Sequence, residues 1–434
     1  MKRTRRTTSS LLAGTVAMAL LGACSGGSSG SSGSSTAGAK TQIVFSYLWA
    51  GTEAKILEQS IKQFNDSQNK ITVKGVSSPD TVKQLAAMTG THGSFDISDN
   101  FGANVASLAS KGALAPLDSY ISGAQFGLSD FSPAAMQQMR FQGKTYSMPL
   151  ATYSQMLLYN KKLFQAAGIA KPPLTMEEWA SDLAKLTKTG ADGSITQLGY
   201  HINDPWTSLT TLGYAFGGDW FDGSGKPTPQ AQGNVAALNF YVDNVTGKYG
   251  KDKVSKFASG YGEAASAQNP FYVGKVATVI DGPWQVAFIH QFAPGLDWGV
   301  APIPYPAAHP ELAGTTEVGV STLFIPANSQ HKKEAGEFMK FLLSPGPMLN
   351  FNVGTSNGTP RLSLLDSPKY ATEPLVQPWL QALKSPNAKS FLSVAWGQQY
   401  IDDLTHSFDD IAQLRTTPAE GLKAVSAKSA AYAK

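Results

Sequence analysis

Cysteine occurs once in 434 residues, so the chain can form neither an intramolecular disulfide nor a cysteine-based zinc cage. Histidine is sparse too: the six copies, at 92, 201, 290, 309, 331 and 406, show no metal-ligand spacing. No His-Glu-x-x-His pair occurs. Gly143-Lys144-Thr145 ends like a phosphate loop, but Gln138 stands where the leading glycine is required. No cofactor and no metal are therefore expected. Charged residues make up 15%, below the usual quarter or so, while 42% are hydrophobic, which argues against wholesale disorder. Net charge is also scarce. Lys2, Arg3, Arg5 and Arg6 account for the whole formal +4, so the remaining chain is balanced. A neutral body lacks the basic footprint of a nucleic-acid binder. After the N-terminus no stretch approaches the 18 or so uncharged apolar residues of a membrane span.

The N-terminus reads as an address and an anchor. Residues 1–23 combine a basic start with the apolar run from Leu11 to Leu21, the pattern of a secretory signal peptide. The run ends in Leu21-Gly22-Ala23-Cys24, which resembles the bacterial lipobox; this implies lipid attachment at Cys24. Residues 24–39 read as a flexible tether, Ser25 to Gly38 being almost entirely Ser and Gly with a reach of roughly 20 Å. The expected location is extracytoplasmic, on the outer face of a bacterial cytoplasmic membrane.

The body alternates strand and helix signals. Ile43–Phe45, Ile71–Val73 and Phe95–Ile97 read as short buried strands. Between them, Leu57, Ile61 and Phe64 mark one helical stripe, and Val82, Leu85 and Ala86 another. Val105, Leu108 and Ala109 start a helix that Gly112 closes. Further on, Thr175 and Glu178 form a capping box ahead of Trp179, Leu183 and Leu186. Val276–Ile280, Trp298–Ile303 and Leu323–Ile325 read as strands, and the last 40 residues as helical. The class is α/β, with a mostly parallel sheet expected.

Eight tryptophans need a reason. Trp49, Trp206, Trp284 and Trp396 sit beside Gly, Pro or small polar residues at element ends, whereas Trp179 falls at core spacing. Loops at the carboxyl ends of strands are where α/β proteins hold ligands. Flat rings flanked by Asp, Asn and Gln suit a sugar, which offers apolar C–H faces and a rim of hydroxyls.

Several segments together resemble the family-1 extracellular solute-binding proteins, the maltose-binding-protein-like group that feeds ATP-binding-cassette importers. They include Leu108–Asp118, Tyr146–Pro149, Leu157–Lys161, Pro172–Trp179 and Phe271–Trp284, followed by Trp298–Pro304. The resemblance implies a two-lobed periplasmic-binding-protein-like fold (type II) with hinge-connected lobes and ligand between them. By position, lobe one would comprise 40–150 plus 298–328, and lobe two 151–297 plus 329–434. The chain would cross near Ala151-Thr152, Asp297-Trp298 and Ala327-Asn328.

The same resemblance implies a set of ligand contacts. Trp49 and Glu53 match the segment after strand one, Ser78 the loop after strand two, and Asp99 and Asn100 the loop after strand three. Tyr153 falls in the first crossover. Asp204 and Trp206 match an acid and aromatic pair of lobe two, and Asp281 and Trp284 a Gly-Pro-Trp loop whose ring is the expected main stacking platform. Glu317 and Gly319 match a loop facing the cleft, and Arg361 and Trp396 late lobe-two contacts. The function implied is that of a carbohydrate-binding lipoprotein without catalysis. It would act as a monomer and deliver its ligand to membrane permease subunits. Two alternatives stay open: a binder of a non-sugar solute such as a polyamine, and a secreted carbohydrate-active enzyme using a carboxylate pair among Glu53, Asp204 and Asp281.

Overall fold

The computed structural model describes residues 40–433 except 92, 123–125, 203, 263 and 264. The signal peptide, Cys24 and the Ser/Gly tether lie outside the described residues. The chain runs β1 (Thr41–Tyr47), α1 (Gly51–Ser67), β2 (Ile71–Ser77), α2 (Thr81–Thr89), β3 (Ile97–Phe101) and α3 (Val105–Ser110). It continues through β4 (Met148–Ser154), β5 (Met156–Asn160), α4 (Met176–Leu186), β6 (Ile195–Tyr200), α5 (Pro205–Ala215) and α6 (Gln232–Tyr241). Then come β7 (Val276–Asp281), α7 (Trp284–Phe292), β8 (Trp298–Ala301) and β9 (Thr316–Phe324). The last long helices are α8 (Lys332–Leu342), α9 (Pro345–Gly354), α10 (Gly397–Ala412) and α11 (Pro418–Tyr432).

Two sheets, each with its own core, make two α/β lobes. The first sheet holds β2, β1, β3, β9 and β4, with the two-residue strand Ala388–Lys389 beside β9. The second holds β8, β5, β7 and β6, edged by Lys188–Thr189. The first sheet is mixed, with three parallel and two antiparallel pairings, and the second is mostly antiparallel. β1 pairs in parallel with β2 and β3, but β9 runs antiparallel to β3 and β4. In the second sheet β5 runs antiparallel to both β7 and β8. The antiparallel strands are those next to the chain's passages between lobes.

Lobe membership departs from the expected boundaries in two places. Trp298–Ala301 pairs antiparallel with Leu157–Asn160, which fixes it in the second sheet rather than in lobe one. Helix α8 belongs to the first core, not the second, and α9 adds Met348 and Phe351 to the first while its Leu349 joins the second. The apolar stripe of α8 needs a sheet face, and the ring of Phe338 sits 5.6 Å from Phe45 and 5.0 Å from Phe64. The passages accordingly fall at Gln155, between Ala301 and Thr316, and after Gly354, each later than expected.

Local signals explain most elements. Thr175 and Glu178 form the capping box of α4, and Trp179 behind it is 0% exposed. Gly112 ends the turn after α3 at φ +67°, in the left-handed region that suits a residue without Cβ. On α2, Asp80 caps the helix and turns Val82 outward, so Gln84 and Met88 are buried in place of the expected stripe. The third strand begins at Ile97, two residues later than read from the sequence. Among the described residues no helix is long and apolar enough to cross a membrane.

Candidate functional site

A cavity of about 280 Å³ lies between the lobes. The first lobe contributes Thr81 at the start of α2, Phe101 to Asn104 after β3, Gln138, and Glu317 to Val320 on β9. The second contributes Asp204, Trp206 and Thr207 at the start of α5, then Phe391, Gln398 and Ile401. Tyr153 and Gln155 line it from the first passage between the sheets.

The start of α5 is built for this position. Asp204 is its N-cap and accepts hydrogen bonds from the backbone N–H groups of Trp206 (3.1 Å) and Thr207 (3.3 Å). Pro205 occupies the first turn, where its missing N–H costs nothing. The cap thereby sets the backbone that carries Trp206, whose half-buried ring meets Phe391 edge to face at 4.7 Å. Across the cavity Phe101 is 46% exposed, a large ring left open where β3 ends.

Polar groups line the same cavity. Glu317 is buried, and its Oε2 accepts from Thr210 Oγ1 (2.6 Å) and Thr211 Oγ1 (3.0 Å), which joins β9 of one lobe to α5 of the other. Burial pushes its carboxyl up to about 7, against the pull of the two threonine hydroxyls. Gly319 faces Tyr153 in the strand register, and a Cβ there would overlap the phenol ring, so the close approach requires glycine. Burial also raises the Tyr153 hydroxyl well above its ordinary value, with the charge of Glu317 adding to the effect.

The lobes touch beside the cavity as well. Thr52 Oγ1 at the start of α1 donates to Gln291 Oε1 on α7 at 2.5 Å, and the Ala106 N–H donates to Ser393 Oγ at 3.0 Å.

Of the residues expected at the ligand, Tyr153, Asp204, Trp206, Glu317 and Gly319 line the cavity. The others have different surroundings. Arg361 is buried within the first lobe: its guanidinium donates to the carbonyls of Leu343 and Phe126, pairs with Asp130 at 3.2 Å and lies over the Phe131 ring. It ties two loops together rather than facing the cleft. Asp99 is buried and accepts from the Leu48 N–H at 2.7 Å, and Asn100 is engaged by Gln84 and Asn104. Burial pushes the Asp99 carboxyl up to about 8 and that of Glu53 up to about 7. Trp49 packs edge-on against Phe351 at 5.1 Å, and the Ser78 N–H donates to the Tyr47 carbonyl.

Trp284, the expected main platform, does not line the cavity. Its ring folds back over Gly282, where a Cβ would overlap it, and meets Tyr153 edge to face at 5.2 Å. It backs a wall residue rather than forming the wall. Asp281 is buried and accepts from Gln285 Nε2 at 2.8 Å. Trp396 packs among Phe221, Tyr400 and Tyr432 in the second lobe.

Sequence reading missed Phe101, Asn104, Gln138, Gln155, Phe391 and Gln398 at the cavity. Phe101 had a usable signal, an aromatic just past a strand and an acid-amide pair. Phe391 lies in an irregular stretch with no local mark.

Two α/β lobes joined by repeated passages of the chain, with a ring-lined cavity between them, define a two-lobed binding-protein fold. Residues 50–348 match the family of bacterial extracellular solute-binding proteins, and the chain belongs to that family. A putative binding protein of Brucella abortus is 29% identical over 244 residues, 54% of each chain, so the match spans about half of that relative. The maltotriose-binding protein of Pyrococcus abyssi is 24% identical over 319 residues, covering 69% of this chain and 63% of that one. Among solved structures, CpMnBP1 with mannobiose bound is similar at 25% identity and TM-score 0.82, over 90% of this chain and all of that chain.

Proposed function

We propose that this protein is the extracytoplasmic substrate-binding component of an ATP-binding-cassette importer and that its inter-lobe cavity takes a mono- or oligosaccharide without altering it. The observation that carries the reading is the cavity lining. Exposed Phe101 and the Trp206–Phe391 pair face a polar set of Asp204, Glu317, Asn104 and Gln155. Rings can stack on the C–H faces of a pyranose while carboxylates and amides take its hydroxyls. Relatives named for maltotriose, mannobiose and diacetylchitobiose support a carbohydrate over a polyamine.

A binding role fits the carboxylates better than hydrolysis does. Of the acids named for a catalytic pair only Asp204 lines the cavity; Glu317 lines it too, but its Oε2 is held by the hydroxyls of Thr210 and Thr211, and relatives named for binding maltotriose and diacetylchitobiose support binding over hydrolysis. The test is calorimetric titration with mannobiose and maltotriose, followed by mass analysis of the recovered sugar. Binding with intact ligand is expected. Cleavage that disappears in Asp204→Asn would move the protein to the enzymes.

The N-terminal segment belongs to the same reading: Cys24 carries diacylglycerol and the Ser/Gly tether holds the body near permease subunits. More than one acyl chain makes such an anchor stable. Cys24→Ser is expected to abolish fatty-acid labelling, and labelling equal to wild type would refute the anchor.

A further inference from the structure

The geometry points to the side-chain carboxamide of Gln155 as a ligand anchor set in the passage between the lobes, one that takes a pair of neighbouring hydroxyls. This rests on the sugar-binding reading and adds to it the group that engages the ligand at the hinge. Gln155 lies between β4 of the first sheet and β5 of the second, is 1% exposed, and lines the cavity. Neither its Nε2 nor its Oε1 has a hydrogen-bond partner among the described residues. Asn104, on the first-lobe wall of the same cavity, repeats the pattern: its Nδ2 donates to Asn100 at 2.9 Å while its Oδ1 has no partner.

A buried amide with both ends unpaired destabilises a fold, and a leucine of similar size would not. The backbone of Gln155, in contrast, is fully held. Its N–H donates to Thr316 Oγ1 at 3.0 Å and to the Glu317 carbonyl at 3.1 Å, and its carbonyl accepts from Thr316 Oγ1 at 2.7 Å. The main chain therefore fixes where the side chain starts, and the side chain finds no hydrogen-bond partner among the described residues. A carboxamide presents one donor side and one acceptor side in a plane. Two adjacent hydroxyls of a pyranose complement it, one accepting from Nε2 and the other donating to Oε1. Contact at the passage itself links ligand capture to the segment both lobes share, which is where hinge motion is absorbed.

The experiment measures two quantities on Gln155→Leu and Gln155→Met: affinity for mannobiose and maltotriose by calorimetry, and the melting temperature of the sugar-free protein. The anchor predicts opposite movements. Affinity falls about tenfold or more, while the melting temperature holds or rises by about 1–3 °C because an unpaired amide has been removed. Wild-type affinity in both variants overturns the anchor and leaves the sugar-binding reading standing. A lower melting temperature in both variants also overturns it, since the amide would then serve the fold. If wild type takes up neither sugar, nor diacetylchitobiose nor mannitol, the sugar-binding reading fails and the anchor with it.

Discussion

Helices α4 and α5 of the second lobe begin alike and do opposite things. Each starts at a side-chain cap, Thr175 in one and Asp204 in the other, and each carries a tryptophan close behind. On α4 the ring of Trp179 is wholly buried against Tyr200 and Phe240. On α5 the ring of Trp206 is half-buried and lines the cavity. Capping chemistry and residue type do not distinguish them. The difference is that α5 starts where the chain leaves β6 facing the other lobe, whereas α4 lies along its own sheet.

The comparison breaks most sharply at Trp179. Trp179→Ala is expected to cost about 3–5 kcal/mol in urea unfolding, while the folded fraction keeps wild-type affinity. A large affinity loss at unchanged stability would mean that Trp179 reaches the ligand.

Arg361 gives the next largest effect and tests a reassignment. Arg361→Met strips partners from the Leu343 and Phe126 carbonyls and from Asp130. A stability loss of about 2–4 kcal/mol is expected, with affinity unchanged within about twofold. A cleft role would show the reverse in the same titration and melting curves.

Trp206 and Trp284 sharpen the contrast within one lobe. Trp206→Ala is expected to weaken sugar binding about 30-fold, the cost of about 2 kcal/mol for a well-placed interface ring. Trp284→Ala acts only through the Tyr153 ring it supports, and a loss of under about tenfold is expected. Equal losses by calorimetry would restore Trp284 as a platform.

Glu317 adds a pH dependence whose sign is set. Its folded pKa of about 7 exceeds the ordinary 4.5, so the folded chain holds the proton more tightly. The associated stability is present below about pH 4.5 and is lost as pH rises through about 7. Glu317→Gln, which stays neutral, should therefore lose less stability than wild type between pH 5 and pH 8. Parallel profiles in chemical denaturation would show that the carboxyl is not desolvated as described.

Much of this molecule is local, and local features were legible in order along the chain. The capping box at Thr175, the close at Gly112, the stripe of α1 and the buried run at Val276–Asp281 each depend on neighbours within one turn or one strand. The family resemblance added the two-lobed plan. Packing between distant segments was not legible. Nothing near Phe338 says that its helix buries against β1 rather than in the other lobe, because either apolar face would bury the stripe equally well. Gln155 gives the sharpest case: its sequence neighbours mark only the end of one strand and the start of the next. That Gln155 lines the cavity while its carboxamide meets no partner among the described residues depends on β9, whose Thr316 lies 161 positions away in the chain. Periodicity and caps thus determine elements, since their energies are local. Which side chains converge on a cavity follows from the meeting of two independently built cores, and only the tertiary structure decides it.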